Sequence, residues 1–239
     1  KDLEMQAVIL AGGLGTRLRP ITEQIPKVLV PVNGKPFLLY LLELLKIQGV
    51  TSIVLCIGYL GKEVSDFFGN GDSYGLRIIY SEEKEGLLGT GGALKQAQNL
   101  LNDHFFVING DTYLHADYSE LERVFLRRGK RALMVAYDNK EATGIKNNVK
   151  LDDHLMVIRH DKESPDPDLK YADAGVLVLR REALDFMKEG CSVSLEEGLY
   201  PILIQQKEMA AHVTDQRFYD IGTPEQQRMF EEFLKGGPE

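Results

Sequence analysis

"VILAGGLGTRLRPITEQIPKVLVPV", residues 8–32, runs an apolar stretch into three glycines within four positions, Gly12, Gly13 and Gly15. The leading "VILA" has no polar alternation, as expected of a parallel strand covered on both faces. A glycine loop after such a strand can grip a dinucleotide, clamp a triphosphate or simply turn a corner. "GGLGTR" lacks the G-x-G-x-x-G spacing, and no G-K-[ST] follows, so the dinucleotide and Walker fingerprints are both missing. Backbone amides without a Cβ in the way can still approach an anion.

Outward from this stretch, short β-rich runs alternate with helical patterns. "QAVILAG", "SIVLCIG", "LRIIYSEE" and "HFFVING" are separated by "PFLLYLLELLKIQG", "GKEVSDFFGNG" and "GALKQAQNLLN". Repeated βα order with apolar strands predicts an α/β fold in layers around a parallel sheet. After "RALMVAY" the pieces shorten, "ESPDPD" signals a turn, and the second half reads as antiparallel and peripheral to the first. Near the end, Thr223 followed by Pro224 predicts a capped helix start.

The 239 residues suffice for one large α/β domain, and 44% hydrophobic content supports a buried core. A formal charge of -8 argues against nucleic-acid partners, so an anionic ligand has to be met by local cations. Cys56 and Cys191 are the two cysteines, too few for a disulfide framework or cysteine metal site, and a cytoplasmic setting fits. No apolar stretch reaches the ~18 to 20 residues of a membrane span. "FLLYLLELL" can serve as core or as an interface between copies, which leaves a homo-oligomer open. Lys1–Glu4 form a charged lead before Met5, read as an expression remnant, a native extension or the tail of an upstream domain.

Two cations follow the glycines: Arg17, and Lys27 between Pro26 and Pro31. An isolated Arg or Lys is ordinarily a solvated surface charge. Here prolines and glycines restrict the chain, and a guanidinium fork with an ammonium suits phosphate oxygens. "VINGDTYL", residues 107–114, ends an apolar run at Asp111, where α/β folds bind ligands at strand carboxyl ends. Asp111 reads equally as a turn former or as a hard oxygen ligand for Mg²⁺. Asp220 in "FYDIGTP" is a second strand-end carboxylate, and the two could share one metal. His104, His115, His154, His160 and His212 show no ligand spacing and read as structural or solvated.

"LAGGLGTRLRPITEQIPKVLVPVNGKP" resembles the signature loop of the sugar-1-phosphate nucleotidylyltransferases, and "LGTGGAL", "NGD", "DAGVLVL" and "YDIGTP" follow in that family's order. The resemblance runs from Met5 to about Leu234. It implies a Rossmann-like three-layer sandwich with a mixed, mostly parallel central sheet and a small antiparallel sugar-binding part. It implies one domain over 5–235, with 5–137 mainly nucleotide-binding, 138–222 mainly sugar-phosphate-binding, and 1–4 and 236–239 as tails. The implied reaction is attack of a sugar 1-phosphate on the α-phosphorus of a nucleoside triphosphate, with Mg²⁺ as cofactor and pyrophosphate as leaving group.

On matching positions, Arg17, Lys27, Asp111 and Asp220 would be catalytic, with Asp111 and Asp220 holding the metal. Leu10, Ala11, Gly12, Gly13, Gly15, Thr16, Glu83, Gly89, Thr90 and Gly91 would meet the nucleotide. Gly144, Lys162, Asp173, Gly175 and Glu196 would meet the sugar phosphate. Two positions depart from the family pattern. "RHDKESPD" stands where many members read E-K-P, making Lys162 the match while Asp161 and Glu163 compete for the acidic role. Asp173 replaces the asparagine common before "AG", and either reads an extra sugar hydroxyl or sits outside the pocket.

"SEEKEGLLGTGGAL" resembles the base-side loop of guanylyltransferases acting on mannose or heptose 1-phosphates, with the heptose enzymes nearest in length and wording. Guanine offers N1–H and N2–H donors to Glu82, Glu83 or Glu85, although the same run also reads as an ordinary solvated charge cluster. GTP and D-glycero-D-manno-heptose 1-phosphate are the leading substrates on this resemblance. Other sugar-1-phosphate nucleotidylyltransferases, a catalytically silent regulatory subunit, and an oxidoreductase are the alternatives.

Overall fold

The structure is a computed structural model that describes residues 4–141 and 143–236. Residues 1–3 of the expected N-terminal tail and 237–239 of the C-terminal tail lie outside the described residues. The chain opens with β1 (Gln6–Leu10), continues through the short hairpin β2 (Pro31–Val32) and β3 (Lys35–Pro36), and enters α1 (Phe37–Ile47). Alternating units follow: β4 (Ser52–Ile57), α2 (Gly61–Phe68), β5 (Arg77–Glu82), α3 (Gly89–Gln96) and β6 (His104–Asn109). After β7 (Thr112–Leu114) come α4 (Tyr118–Arg128), β8 (Ala132–Tyr137), β9 (Val149–Leu151), β10 (Val157–His160) and β11 (Ala172–Arg180). The last elements are α5 (Leu195–Gly198), α6 (Tyr200–Gln205), β12 (Met209–Thr214), β13 (Phe218–Asp220) and α7 (Pro224–Gly236).

Seven strands form the central sheet in the order β12-β8-β11-β6-β1-β4-β5. Every neighbouring pair is parallel except those of β11, which runs antiparallel to both β6 and β8. Along β1, Ala7 and Ile9 face one side of the sheet, packing with the helices α1, α2 and α4. Val8 faces the other, where α3, α5 and α6 supply Leu94, Leu195 and Leu203. Helices on both faces explain the unbroken apolar runs, since a strand buried on both sides has no solvent side to show. The mixed, mostly parallel three-layer sheet expected of the sequence is the observed architecture.

The second half is less peripheral than its pattern suggests. "ADAGVLVLR" forms β11 in the middle of the sheet, and "MAAHVT" forms its edge strand β12. The small antiparallel pieces are the pairs β9–β10 and β13–β7. α1 is core: Phe37, Leu38, Leu41, Leu42, Leu44 and Leu45 are all buried. α7 starts as expected, with Thr223 Oγ1 accepting from Gln226 N at 3.2 Å and Pro224 at the first position. Its Phe230 enters a third apolar cluster with Phe37, Val32 and Ile221. This contact ties the end of the chain to the glycine-loop side of the molecule.

Candidate active site

Parallel neighbours β1 and β6 end side by side, and Gly110 N donates to Leu10 O at 2.9 Å just beyond them. A Cβ on Gly110 would lie 2.6 Å from that same carbonyl oxygen, so this approach of the two strand ends requires glycine. Asp111 follows at the carboxyl edge of the sheet, the usual ligand-binding edge of an α/β fold. The glycine loop then folds over it, with Thr22 Oγ1 holding Gly15 O at 2.8 Å and a short turn from Lys27 to Leu29. That turn brings the Lys27 ammonium into an ion pair with Asp111 Oδ2.

Asp220 arrives from the opposite end of the chain. β13 pairs with β7 so that Asp220 lies opposite Thr112, and Ile221 N donates to Asp111 O at 3.1 Å. Gly222 N and Gln226 Nε2, each at 2.8 Å, donate to the two oxygens of Asp220. Burial raises its carboxyl above the usual aspartate value, and the Asp111 charge adds to this, while the Gly222 bond, Lys27 and Arg17 oppose it. Arg17 closes the group, since a Cβ on Gly222 would come within 2.7 Å of its Nη2 and 2.9 Å of Asp220 Oδ1.

Two cavities border this group. The first, about 330 Å³, is lined by Leu10, Ala11, Gly12, Gly13 and Gly15 on the β1 side. Lys27, Asp111, Glu83, Gly89 and Thr90 line it as well. The second, about 680 Å³, is lined by Arg17, Asp220 and Gly144. Lys162 lines both, and its ammonium pairs with Glu196 in the first. Burial would lower the Lys162 pKa, but the Glu196 contact and the charges of Asp173 and Asp111 leave it raised, so the ammonium stays charged.

Some expected residues lie elsewhere. Thr16 and Gly91 line neither cavity: Thr16 opens the short turn after the glycines, and Gly91 N donates to Val193 O at 2.9 Å inside the fold. Glu196, expected on the sugar side, faces the first cavity. Asp173 and Gly175, on β11 where its register with β8 shifts, line neither cavity. Asp173 Oδ1 turns back to accept from Gly175 N at 2.9 Å, and its Oδ2 faces buried His160 Nε2 at 3.3 Å. Of the competing acids, Asp161 is held by Arg159 at 2.8 Å and caps its own loop through Ser164 N. His160 and His104, the latter bound to Glu122 at 2.8 Å, are structural.

Glu83 Oε2 accepts from Leu88 N at 2.5 Å, which fixes the start of the loop into α3. Burial raises its carboxyl, and the Leu88 bond partly offsets this. Cys56 also lines the first cavity, its thiol pushed up to about 12 by burial and the Glu83 charge, so it stays protonated. Val28, Leu87, Asn109, Thr143, Lys146, Arg217 and Gln226 line the cavities without having been anticipated. Asn109, Arg217 and Gln226 adjoin motifs already legible, whereas Lys146 carries no local signal and arrives by tertiary folding.

The arrangement puts cations and glycine amides around two hard carboxylates, which suits polyphosphate binding. Mg²⁺ takes one or two carboxylates and completes its shell with water and phosphate oxygens, so Asp111 and Asp220 fit that ion. Among the described residues no group of three or more His, Cys, Asp or Glu is built to hold a metal without such help.

The nucleotidyl transferase family model matches residues 6–235. A D-glycero-alpha-D-manno-heptose 1-phosphate guanylyltransferase of Campylobacter jejuni is 35% identical, covering 92% of this chain and 96% of its own. A mannose-1-phosphate guanylyltransferase of Mycobacterium tuberculosis is 34% identical over 93% of this chain, which spans 62% of that longer protein. The solved structure of HddC from Yersinia pseudotuberculosis complexed with GMP-PN superimposes with a TM-score of 0.82 at 30% identity, covering 95% of this chain and 98% of that one.

Proposed function

The chain belongs to the nucleotidyl transferase family and is a nucleotidyltransferase, and we propose that it transfers GMP from GTP to D-glycero-D-manno-heptose 1-phosphate, releasing pyrophosphate. The observation that carries this reading is the junction of the two cavities, where Lys27, Asp111 and Lys162 border the first and Arg17, Asp220 and Lys162 the second. A nucleotide in the first and a sugar phosphate in the second would meet there.

The acceptor phosphate is an anion at neutral pH, so its oxygen can attack the α-phosphorus without a general base. The obstacles are the approach of two polyanions and the charge that builds on the departing pyrophosphate. Glycine amides of the loop and the Arg17 guanidinium would take the leaving group, and Lys162 would hold the acceptor phosphate. Lys27 has three N–H donors, so it can keep Asp111 and bind a phosphate oxygen at once. Mg²⁺ held by Asp111 and Asp220 would supply further neutralisation of phosphate charge. A cytoplasmic setting, where nucleoside triphosphates are made, belongs to the same reading.

Glu83 lines the first cavity, and its carboxylate suits guanine, whose N1–H and N2–H are donors. The similarity to heptose and mannose 1-phosphate guanylyltransferases supports the base, and the near-complete coverage of the Campylobacter protein supports the heptose. Mannose 1-phosphate is the second reading, favoured by the Mycobacterium relative. A coupled pyrophosphate assay over the common triphosphates, crossed with hexose and heptose 1-phosphates, should give its highest kcat/KM with GTP and the heptose. No turnover of GTP with any sugar would overturn the base assignment.

A further inference from the structure

Among the described residues four buried side-chain polar atoms have no hydrogen-bond partner: Tyr118 Oη, His160 Nε2, Arg217 Nε and Gln226 Oε1. Two of these residues, Arg217 and Gln226, line the same cavity, the larger one. Arg131, Arg159 and Arg181 each pair with a carboxylate, whereas among the described residues no carboxylate pairs with Arg217. Its guanidinium lies 5.2 Å over the Tyr219 ring, and Nη2 reaches the Thr143 carbonyl only at 3.5 Å, the outer limit of a hydrogen bond. Leaving a buried, charged donor this poorly satisfied is costly, and a guanidinium seated over an aromatic ring keeps N–H groups to meet oxygen atoms.

We infer that Arg217 binds the acceptor sugar and reads its hydroxyl groups, an inference that rests on the functional reading above. Arg217 borders only the second cavity, with Thr143 and Gly144, and takes no part in the first, where the nucleotide would lie. The cavity is lined by both kinds of group: Arg17, Lys146, Lys162 and Arg217 as donors, and Asp220 and Glu225 as acceptors. A hydroxyl both donates and accepts, so this mixture suits a polyol. Neighbouring hydroxyls match the guanidinium fork, and a seven-carbon sugar carries one more exocyclic hydroxyl than a hexose. Arg217 therefore acts as a specificity residue, separate from the charge-neutralising Arg17.

The test compares heptose 1-phosphate with mannose 1-phosphate as acceptors for the wild-type chain and for Arg217→Ala, Arg217→Met and Arg217→Lys. Met keeps a stem over Tyr219, and Lys keeps the charge without the fork. All three should lower the heptose-to-mannose ratio of kcat/KM about tenfold or more, by raising KM for the heptose. KM for GTP should stay within about twofold of the wild type. A ratio unchanged in the folded variants, or a rise confined to KM for GTP, would overturn the inference. Wild-type failure to turn over either acceptor would instead overturn the functional reading, and this inference with it.

Discussion

Asp220 combines a site position with an unfavourable setting for its own charge. Burial first and the Asp111 charge next hold its carboxyl above the ordinary aspartate value in the folded chain. A group whose folded pKa is raised gives its full stability below the unfolded value, and loses it as pH rises through the folded one. The ionised form at neutral pH is therefore a cost to the ligand-free fold. Asp220→Asn removes that cost. The new amide can still accept from Gly222 N, and Gln226 can rotate so that its unpartnered Oε1 accepts the added N–H. Melting without metal or nucleotide should show the Asp220→Asn variant at or above the wild-type Tm at pH 7. The margin should vanish as pH falls below the ordinary aspartate value, while turnover drops by about a hundredfold or more. A variant that melts well below wild type at neutral pH would contradict the sign. At this scale the sequence was informative where motif residues sit beside glycine or proline: Arg17, Lys27, Asp111 and Asp220 all border one junction. It left Asp173 between reading a sugar hydroxyl and lying outside the pocket, and its carboxylate turns to Gly175 N and His160 and lines neither cavity; it did not single out Arg217, which meets Thr143 only after folding.

α7 sets where Asp220 stands. Phe230 is fully buried and packs edge-on against Phe37 at 5.3 Å and Tyr40 at 5.8 Å, while Tyr219 of β13 stacks on Phe233 at 4.3 Å. The helix thus holds β13 against α1 through aromatic contacts, each with both packing and ring-orientation energy. Phe230→Ala should cost about 3–5 kcal/mol, a large share of the roughly 5–15 kcal/mol that holds a typical domain. Urea titration reads this directly, and Phe230→Leu, which refills most of the volume, should cost less than half as much. Equal losses in the two variants would show that ring orientation outweighs the cavity. The start of α7 was legible because Thr223 and Pro224 are local signals. The rank of β11 was not. Which strand pairs with which depends on contacts far apart in sequence, and "AGVLVL" is apolar enough to lie anywhere inside a sheet. Its lack of alternation was nevertheless a mark of two-sided burial, and that mark argued against a peripheral place.

The whole sheet depends on that central antiparallel strand. Among the described residues β8 is bonded only to β11 and β12, and β6 only to β1 and β11, so there β11 alone joins the β12–β8 edge to the four strands β6, β1, β4 and β5. A chain cut after Tyr137 would keep β8 but lose both of its partners. It would also expose the open edge of β6, where Phe106, Val107 and Ile108 are buried in the intact protein. Unpaired backbone groups and a bared apolar edge favour aggregation over folding. Residues 5–137 made alone should therefore lack a cooperative urea transition and should bind a fluorescent apolar dye. The full chain should unfold in a single step by both far-ultraviolet circular dichroism and tyrosine fluorescence, as one sheet with a shared core requires. Two separated transitions in the full chain, or a folded 5–137 fragment, would mean that the nucleotide-side strands are stable without β11. The expected result would also explain how residues from distant parts of the sequence, Lys27, Asp111 and Lys162 ahead of β11 and Asp220 after it, keep one geometry: a single sheet fixes them all.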